Sequence, residues 1–433
     1  MIRQAFRRLW HDKRGNALLI AGAAMPLVIG SAGLASDTIQ WTLWKRQLQR
    51  AADSSALAGV YDRVQRNGST SNVATAVNTD LQRHNNALRG SNDASGLAPS
   101  LFSPAVTYPS GPNWNLPVRV ALSMQHKLNF SSFFMASPPT ITATGTAATV
   151  ATGVYCVVSL VDTSTTGILA TGNSDLNLGC GMITNSTSLT AAIATGSSHV
   201  DATPVAAVGD IQESGNWGGA ELLPFTVKQS DPYASVDTPV FTDCKGNGTR
   251  IQINPNDPIV NRSTDAGVQC VSDMNVNGRL ELGPATYVID GGNFSAGAQA
   301  NISCTGCTII LTNSDASPTA TIGGVDVNGS AQLNMSAPST GTYDGILFYQ
   351  DRRAPKSTTI VHKINGNSSS TFGGAFYFPN QQLQVNGNSG LTMNCAQFVS
   401  YVVEFAGNGS INNTCAAGYG DNEIMGRHVR LVA

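Results

Sequence analysis

Residues 17–35, ALLIAGAAMPLVIGSAGLA, constrain this chain more than any other stretch, because they run for 19 positions without a charge. At ~1.5 Å per residue a helix of that length spans roughly 28 Å, close to the ~30 Å hydrocarbon core of a bilayer. Arg3, Arg7, Arg8, Lys13 and Arg14 precede the run, and after Asp37 no base follows until Lys45. The positive-inside rule then predicts a cytoplasmic N-terminus and export of the rest of the chain. A cleaved secretory signal is the competing reading, and Ala32-Gly33-Leu34-Ala35 would offer a peptidase small residues. Signal cores are usually ~7–15 residues, so the length favours a retained anchor. Pro26 is compatible with a spanning helix, whose neighbours can satisfy the freed carbonyl. Gly22, Gly30 and Gly33 either thin one side for helix packing in lipid or simply reflect a small-residue composition.

Charged residues make up only 12% of the 433, with a net charge of −2, while glycine reaches 44. Such a surface creates no field that would recruit nucleic acid. Hydroxyls and amides stand where charges usually do, as in extracellular β-rich proteins. The eight cysteines, at 156, 180, 244, 270, 304, 307, 395 and 415, all follow the apolar run. An even count in an exported region predicts disulfides, although eight cysteines allow 105 pairings. Sequential pairing (156–180, 244–270, 304–307, 395–415) is our expectation. Zinc at Cys304-Thr-Gly-Cys307 would need a second ligand pair, and the scattered histidines at 11, 84, 126, 199, 362 and 428 supply none.

Residues 37–66 read as a helix leaving the membrane. Trp44, Leu48, Ala51, Ala52, Ala56, Val60 and Val64 recur at helical spacing. Trp41 and Trp44 lie where amphipathic rings suit the interface. The small-residue run AADSSALAG either meets another helix or packs on its own domain. A second helix is expected from Ser71 to about Leu88, then a loop over 89–99. The runs PAVTYPS and LPVRVALSMQHKL around Gly111-Pro112-Asn113 predict a hairpin. Phe130, Phe133, Phe134 and Met135 form a hydrophobic corner, and 140–152 is a β-like run of Thr, Ala and Val.

These N-terminal residues resemble a known family. Arg14-Gly15-Asn16-Ala17, the apolar span with Pro26, Gly33-Leu34-Ala35-Ser36-Asp37 and above all the run 49–59, QRAADSSALAG, are similar to TadG-type proteins of the tight-adherence (Tad, or Flp) pilus assembly system. Related pseudopilins carry a Glu five residues after a cleaved Gly. Ile20 stands at that distance from Gly15, so the resemblance implies an uncleaved anchor.

From Gly153 onward short strands alternate with Gly-Asn, Asn-Gly and Asn-Ser turns. Gly366, Gly387 and Gly407 lie 21 and 20 residues apart, Gly278 and Gly297 lie 19 apart, and Gly172 and Gly196 lie 24 apart. Repeats in the low twenties predict a parallel β-helix, expected right-handed, with a β-sandwich as runner-up. In that picture the 395–415 disulfide ties down a final coil on which nothing further stacks. Cys156-Val-Val-Ser-Leu, the run 284–292, PATYVIDGG, and the run 341–348, GTYDGILF, also resemble the C-terminal region of a TadE/TadG-like subfamily.

Two groups could carry chemistry. Asp162-Thr-Ser164-Thr-Thr166 after an apolar strand is similar to the metal-dependent adhesion motif of von Willebrand A domains, where hydroxyls and a carboxylate hold Mg²⁺. Its alternative is an ordinary strand end. Asp344, Asp351, Arg352 and Arg353 could serve a β-helical carbohydrate-active enzyme, or form a solvated loop. We assign no catalytic, cofactor or metal residue and expect no enzyme.

The expected architecture is a membrane-anchored α+β chain. Residues 1–16 form a basic cytoplasmic tip, 17–35 a transmembrane helix, 36–150 a small α+β juxtamembrane region, and 151–433 a mainly-β exported domain. The resemblance implies a structural or assembly component of a Tad/Flp-type pilus or adherence system. It would sit in the bacterial inner membrane with the bulk periplasmic or extracellular. Expected partners are the membrane, other Tad/Flp assembly proteins, and a surface glycan or peptidoglycan.

Overall fold

The computed structural model describes residues 13–66, 68–88, 104–125, 127–242, 244, 250–387, 390–416 and 418–432, with side chains except at 13–19 and 84–88. The expected loop at 89–99 and most of the basic tip lie outside the described residues. Two compact units emerge: residues 1–150 with 429–433, and residues 151–428. The mainly-β unit thus ends short of the C-terminus, and the last five residues belong to the first unit.

In the first unit one helix, Lys13–Gln65, runs unbroken through Pro26. The apolar run and the amphipathic segment that follows it are therefore a single element. Its second half buries Leu48, Ala51, Ala52, Ala56 and Val60. The small residues pack on their own unit: Gly59 faces Val118, Val73 and Val77, and a Cβ on Gly145 would meet the Ala52 backbone at 2.6 Å. The helix Val73–Leu88 supplies Val73, Val77 and Leu81 to this core. The predicted hairpin is present, with Ala105–Thr107 antiparallel to Asn115–Gln125. The latter pairs antiparallel with Thr140–Ser159. Alternating burial along Asn115–Gln125 turns Val118, Val120, Leu122 and Met124 inward.

The second unit is a large, mostly-β domain of parallel strands in which most strands between residues 251 and 350 pair with the third strand after them. In one ladder Ile251–Ile253 pairs with Met274–Val276, that with Phe294–Ala296, and that with Val325–Val327. A second ladder joins Val260–Arg262, Arg279–Leu282, Asn301–Thr305 and Gln332–Ser336. A third joins Gly267–Val271, Ala285–Asp290, Thr308–Thr312 and Ile346–Gln350. The long strands Thr371–Gly387 and Leu391–Ala406 then serve several ladders in turn.

The ladders do not stop at the C-terminal strands. Leu391–Ala406 pairs in parallel with Thr140–Ser159 (Phe398 to Val157) and with Ile168–Ala170 (Val403 to Ile168). Ser410–Thr414 pairs with Asp175–Asn177. From there pairing continues to Gly181–Thr184, Ala192–Ala194, His199–Asp201 and Val205–Ala207. Residues 155–223 therefore stack beyond 251–414, although they come first in sequence. This corrects the expectation of a free end at 395–415: the coil it closes is internal, because its edge hydrogen bonds are taken by residues 157–177. The glycine spacings now join into one column. Gly366 pairs with Gly387. A Cβ on Gly172 would lie 2.9 Å from the Gly407 carbonyl oxygen, and one on Gly196 equally close to that of Gly172. Positive φ at Gly407, Gly172 and Gly196 (103°, 76° and 74°) adds a second reason for glycine there.

Between the ladders lies an apolar core in which Phe348, Phe376 and Phe398 stack, at 5.4 and 5.6 Å between ring centroids. All eight cysteines pair sequentially, as expected: 156–180, 244–270, 304–307 and 395–415. The 304–307 pair leaves no thiolates for zinc. Phe398 is wholly buried where the two sequence-distant runs meet. Phe398→Ala should cost about 3–5 kcal/mol, the usual range for truncating a buried Phe. Urea unfolding of the detergent-solubilised chain measures it.

Candidate functional site

The surface that departs most from a soluble fold is the first half of the long helix. Ile20, Leu27, Val28, Ile29, Leu34 and Ile39 are each more than half exposed. The helix is long and apolar enough to cross a membrane, and its apolar window is 6% buried. Its hydroxyls turn inward on their own backbone: Ser31 donates to the Val28 carbonyl, Thr38 to Leu34 and Thr42 to Ile39. Such bonds leave few polar groups facing outward, as hydrocarbon requires. Beyond it the helix turns polar on the folded side. Lys45 donates to the Thr142 carbonyl, Gln49 to that of Thr144, and Arg63 to that of Pro117 at 2.8 Å. One element is thus apolar and bare over one half and anchored in a folded core over the other.

Residues 15–63, spanning both halves, match the family model described as "Putative Flp pilus-assembly TadE/G-like". Over these residues the chain is TadE/G-like. No curated protein and no solved structure matches the chain.

The residues singled out in the β unit take other roles. Asp162 meets Lys228 at 3.1 Å and Lys356 at 3.7 Å. Hydrogen bonding from Lys228 leads in holding its carboxyl below the usual value. Two ammonium groups thus occupy the oxygens that an adhesion-type metal would need. Within this run, Thr163 Oγ1 donates to Thr165 Oγ1 in a hydroxyl turn. Asp351 and Arg353 pin a corner. Arg353 contacts Asp351 at 2.8 Å and donates to the carbonyls of Asn313 and Asp315, while Thr312 donates to Asp351. Burial pushes the Asp351 carboxyl up, but these bonds outweigh it and hold the pKa low. Asp344 lies apart from this pin, lining a cleft with Tyr233, Asp421 and Glu423.

Arg352 serves a feature that our sequence reading missed. Residues 224–242 form a strap over the outer face of the third ladder. Arg352 donates to the carbonyls of Tyr233 and Val236 at 3.1 and 2.7 Å. Tyr349 donates to Val236, Tyr343 to Asp237, Tyr377 to the Asp231 carboxylate and Tyr233 to Gln397, all at 2.6–2.7 Å. Burial pushes the Tyr343 hydroxyl up to about 12, and those of Tyr233, Tyr349 and Tyr377 higher still. All four remain donors at any physiological pH. A signal was present: VVSLV, TIILT, ILFYQ and FYF are continuous apolar runs, the pattern of parallel strands buried on both faces.

Inside the fold His362 is fully buried and stacks 4.0 Å from the Phe378 ring centroid. Its Nδ1 accepts from the Val325 N–H at 3.1 Å, which leaves Nε2 to donate to Gln381 Oε1 at 2.9 Å. Burial lowers its pKa to about 4. The unfolded value is ~6.5, so the native state binds fewer protons between these limits. His362 therefore favours folding fully above about 6.5, and that contribution falls as pH drops toward 4. His362→Gln should reduce the acid-side slope of stability by one proton in this window, read from urea midpoints at stepped pH.

Proposed function

We propose that this chain is a single-pass envelope protein that helps assemble or anchor a Tad/Flp-type pilus. The carrying observation is the coincidence of the family match at 15–63 with a helix whose apolar half is bare. In this reading residues 17–35 cross the inner membrane with the basic tip in the cytoplasm, and residues beyond 36 are exported. Four disulfides and a surface of amides and hydroxyls suit an oxidising compartment. We read the exported unit as a right-handed parallel β-helix. Third-strand parallel pairing and stacked like side chains support it, and the right hand follows the general rule for parallel crossovers. The role is structural rather than enzymatic: Asp351, Arg352 and Arg353 are engaged in pinning loops.

In the native bacterium, loss of this chain should abolish surface pili in electron micrographs, and the full-length chain supplied in trans should restore them. Unchanged piliation would overturn the assembly role. N-terminal sequencing of membrane-extracted protein should find residues 1–16 retained. A mature start at Asn16 or near Ser36 would overturn the anchor.

A further inference from the structure

Beside the apolar helix the chain makes a tight corner at residues 128–139, which includes a short 3-10 turn, Ser131–Phe133. The corner is tied to the helix. Asp37, 3% exposed, accepts the Phe130 N–H at 3.0 Å and both the N–H and hydroxyl of Ser131 at 2.5 and 2.6 Å. Phe130 lies against Gly33, where any side chain would run into its ring. Gly33 therefore makes room for an aromatic rather than for a second helix. Phe130 in turn packs on Phe134 at 5.5 Å between ring centroids.

This tether holds an apolar tip in the open. Phe133 is 84% exposed and Phe134 78%, with Met135 beside them at 46%. Burying a Phe side chain is worth ~1.5–3 kcal/mol, so a water-facing corner should not present two. The tip is joined to the apolar helix through Gly33, which Phe130 covers, and Asp37, which holds Phe130 and Ser131. Its level also matches. From Ile20 to Asp37 a helix rises roughly 26 Å, so the tether falls at the far boundary of a ~30 Å core. Trp41 and Trp44 follow within two turns. A cleft of about 220 Å³ next to the tip is lined by both polar and apolar groups, among them Leu128, Met135, Ser137 and Pro138.

We propose that the 128–139 corner is a second membrane contact, with Phe133 and Phe134 immersed at the headgroup–acyl boundary of the bilayer that the helix crosses. The proposal rests on the anchor reading, since the helix surface that the tip extends must itself lie in lipid. One helix alone fixes neither tilt nor rotation; those are set by interfacial anchors and packing. A tethered aromatic tip supplies such an anchor and holds the α+β unit at a set angle to the bilayer surface.

The full-length protein is reconstituted in phosphatidylethanolamine–phosphatidylglycerol vesicles. A nitroxide is attached in turn through Phe133→Cys, Ile29→Cys and Leu189→Cys, the native cysteines being paired. Relaxation by oxygen, which concentrates in lipid, is compared with relaxation by a water-soluble nickel chelate. Expected is oxygen preference at 133 and 29 and nickel preference at 189, which is 77% exposed. Oxygen preference at 29 with nickel preference at 133 would overturn the second contact and leave the anchor standing. Shielding of 133 from both reagents would place a protein on the tip and overturn the lipid assignment. Nickel preference at 29 would overturn the anchor and the corner contact together.

Discussion

The β unit depends on one seam, where residues 157–159, 168–170 and 175–177 align in parallel with 398–400, 403–405 and 410–412. Ser159 adds a side-chain bond to the Tyr401 carbonyl, 242 residues away. Without it two ladder stacks would each expose a row of unpaired backbone groups, an edge that invites aggregation. Each stack closes the edge of the other. The strap is a consequence: residues 155–223 stack beyond 251–414 yet precede them. Residues 224–242 lie over the tyrosine-bearing outer face of the third ladder, where they accept from the hydroxyls of Tyr343, Tyr349 and Tyr377. So non-local a contact map predicts slow folding, because long loops close before their contacts form.

Parallel stacking also accounts for the low charge. Each strand places its side chains beside those of the strand above, and like charges directly adjacent repel. Amides have no such conflict, since one end donates and the other accepts. Asn173 bonds Asn408 across the junction of the two runs, Asn386 bonds Asn365, and Asn301 bonds Gln332. Some of the charges fix loops, as at Asp351–Arg353 and Asp162 with its two lysines.

In the first unit one helix has two faces of different size. Its small residues at 51, 52, 56 and 59 let strands and a second helix approach closely, while Ile20, Leu27, Val28, Ile29, Leu34 and Ile39 are left bare. Short residues suit a crowded protein contact and branched or long ones suit lipid chains. The division follows side-chain size as much as hydrophobicity.

By itself the sequence determined the apolar span, the TadE/G likeness of residues 15–63 and the hairpin, while its even cysteine count and glycine spacings pointed to disulfides and stacked strands. These are local: a charge-free run, a turn signal or a spacing of about twenty residues is written in neighbouring positions. It did not determine that Gly366–Gly387–Gly407 and Gly172–Gly196 belong to one column, that the 395–415 coil is internal, or that Arg352 and four tyrosines hold a strap. Nor did it show that Gly33 makes room for Phe130. Only the tertiary structure decided these, because each is a contact between residues far apart in the chain. Hydrophobic periodicity records which way a residue faces, whereas its partner is fixed by the order in which strands stack.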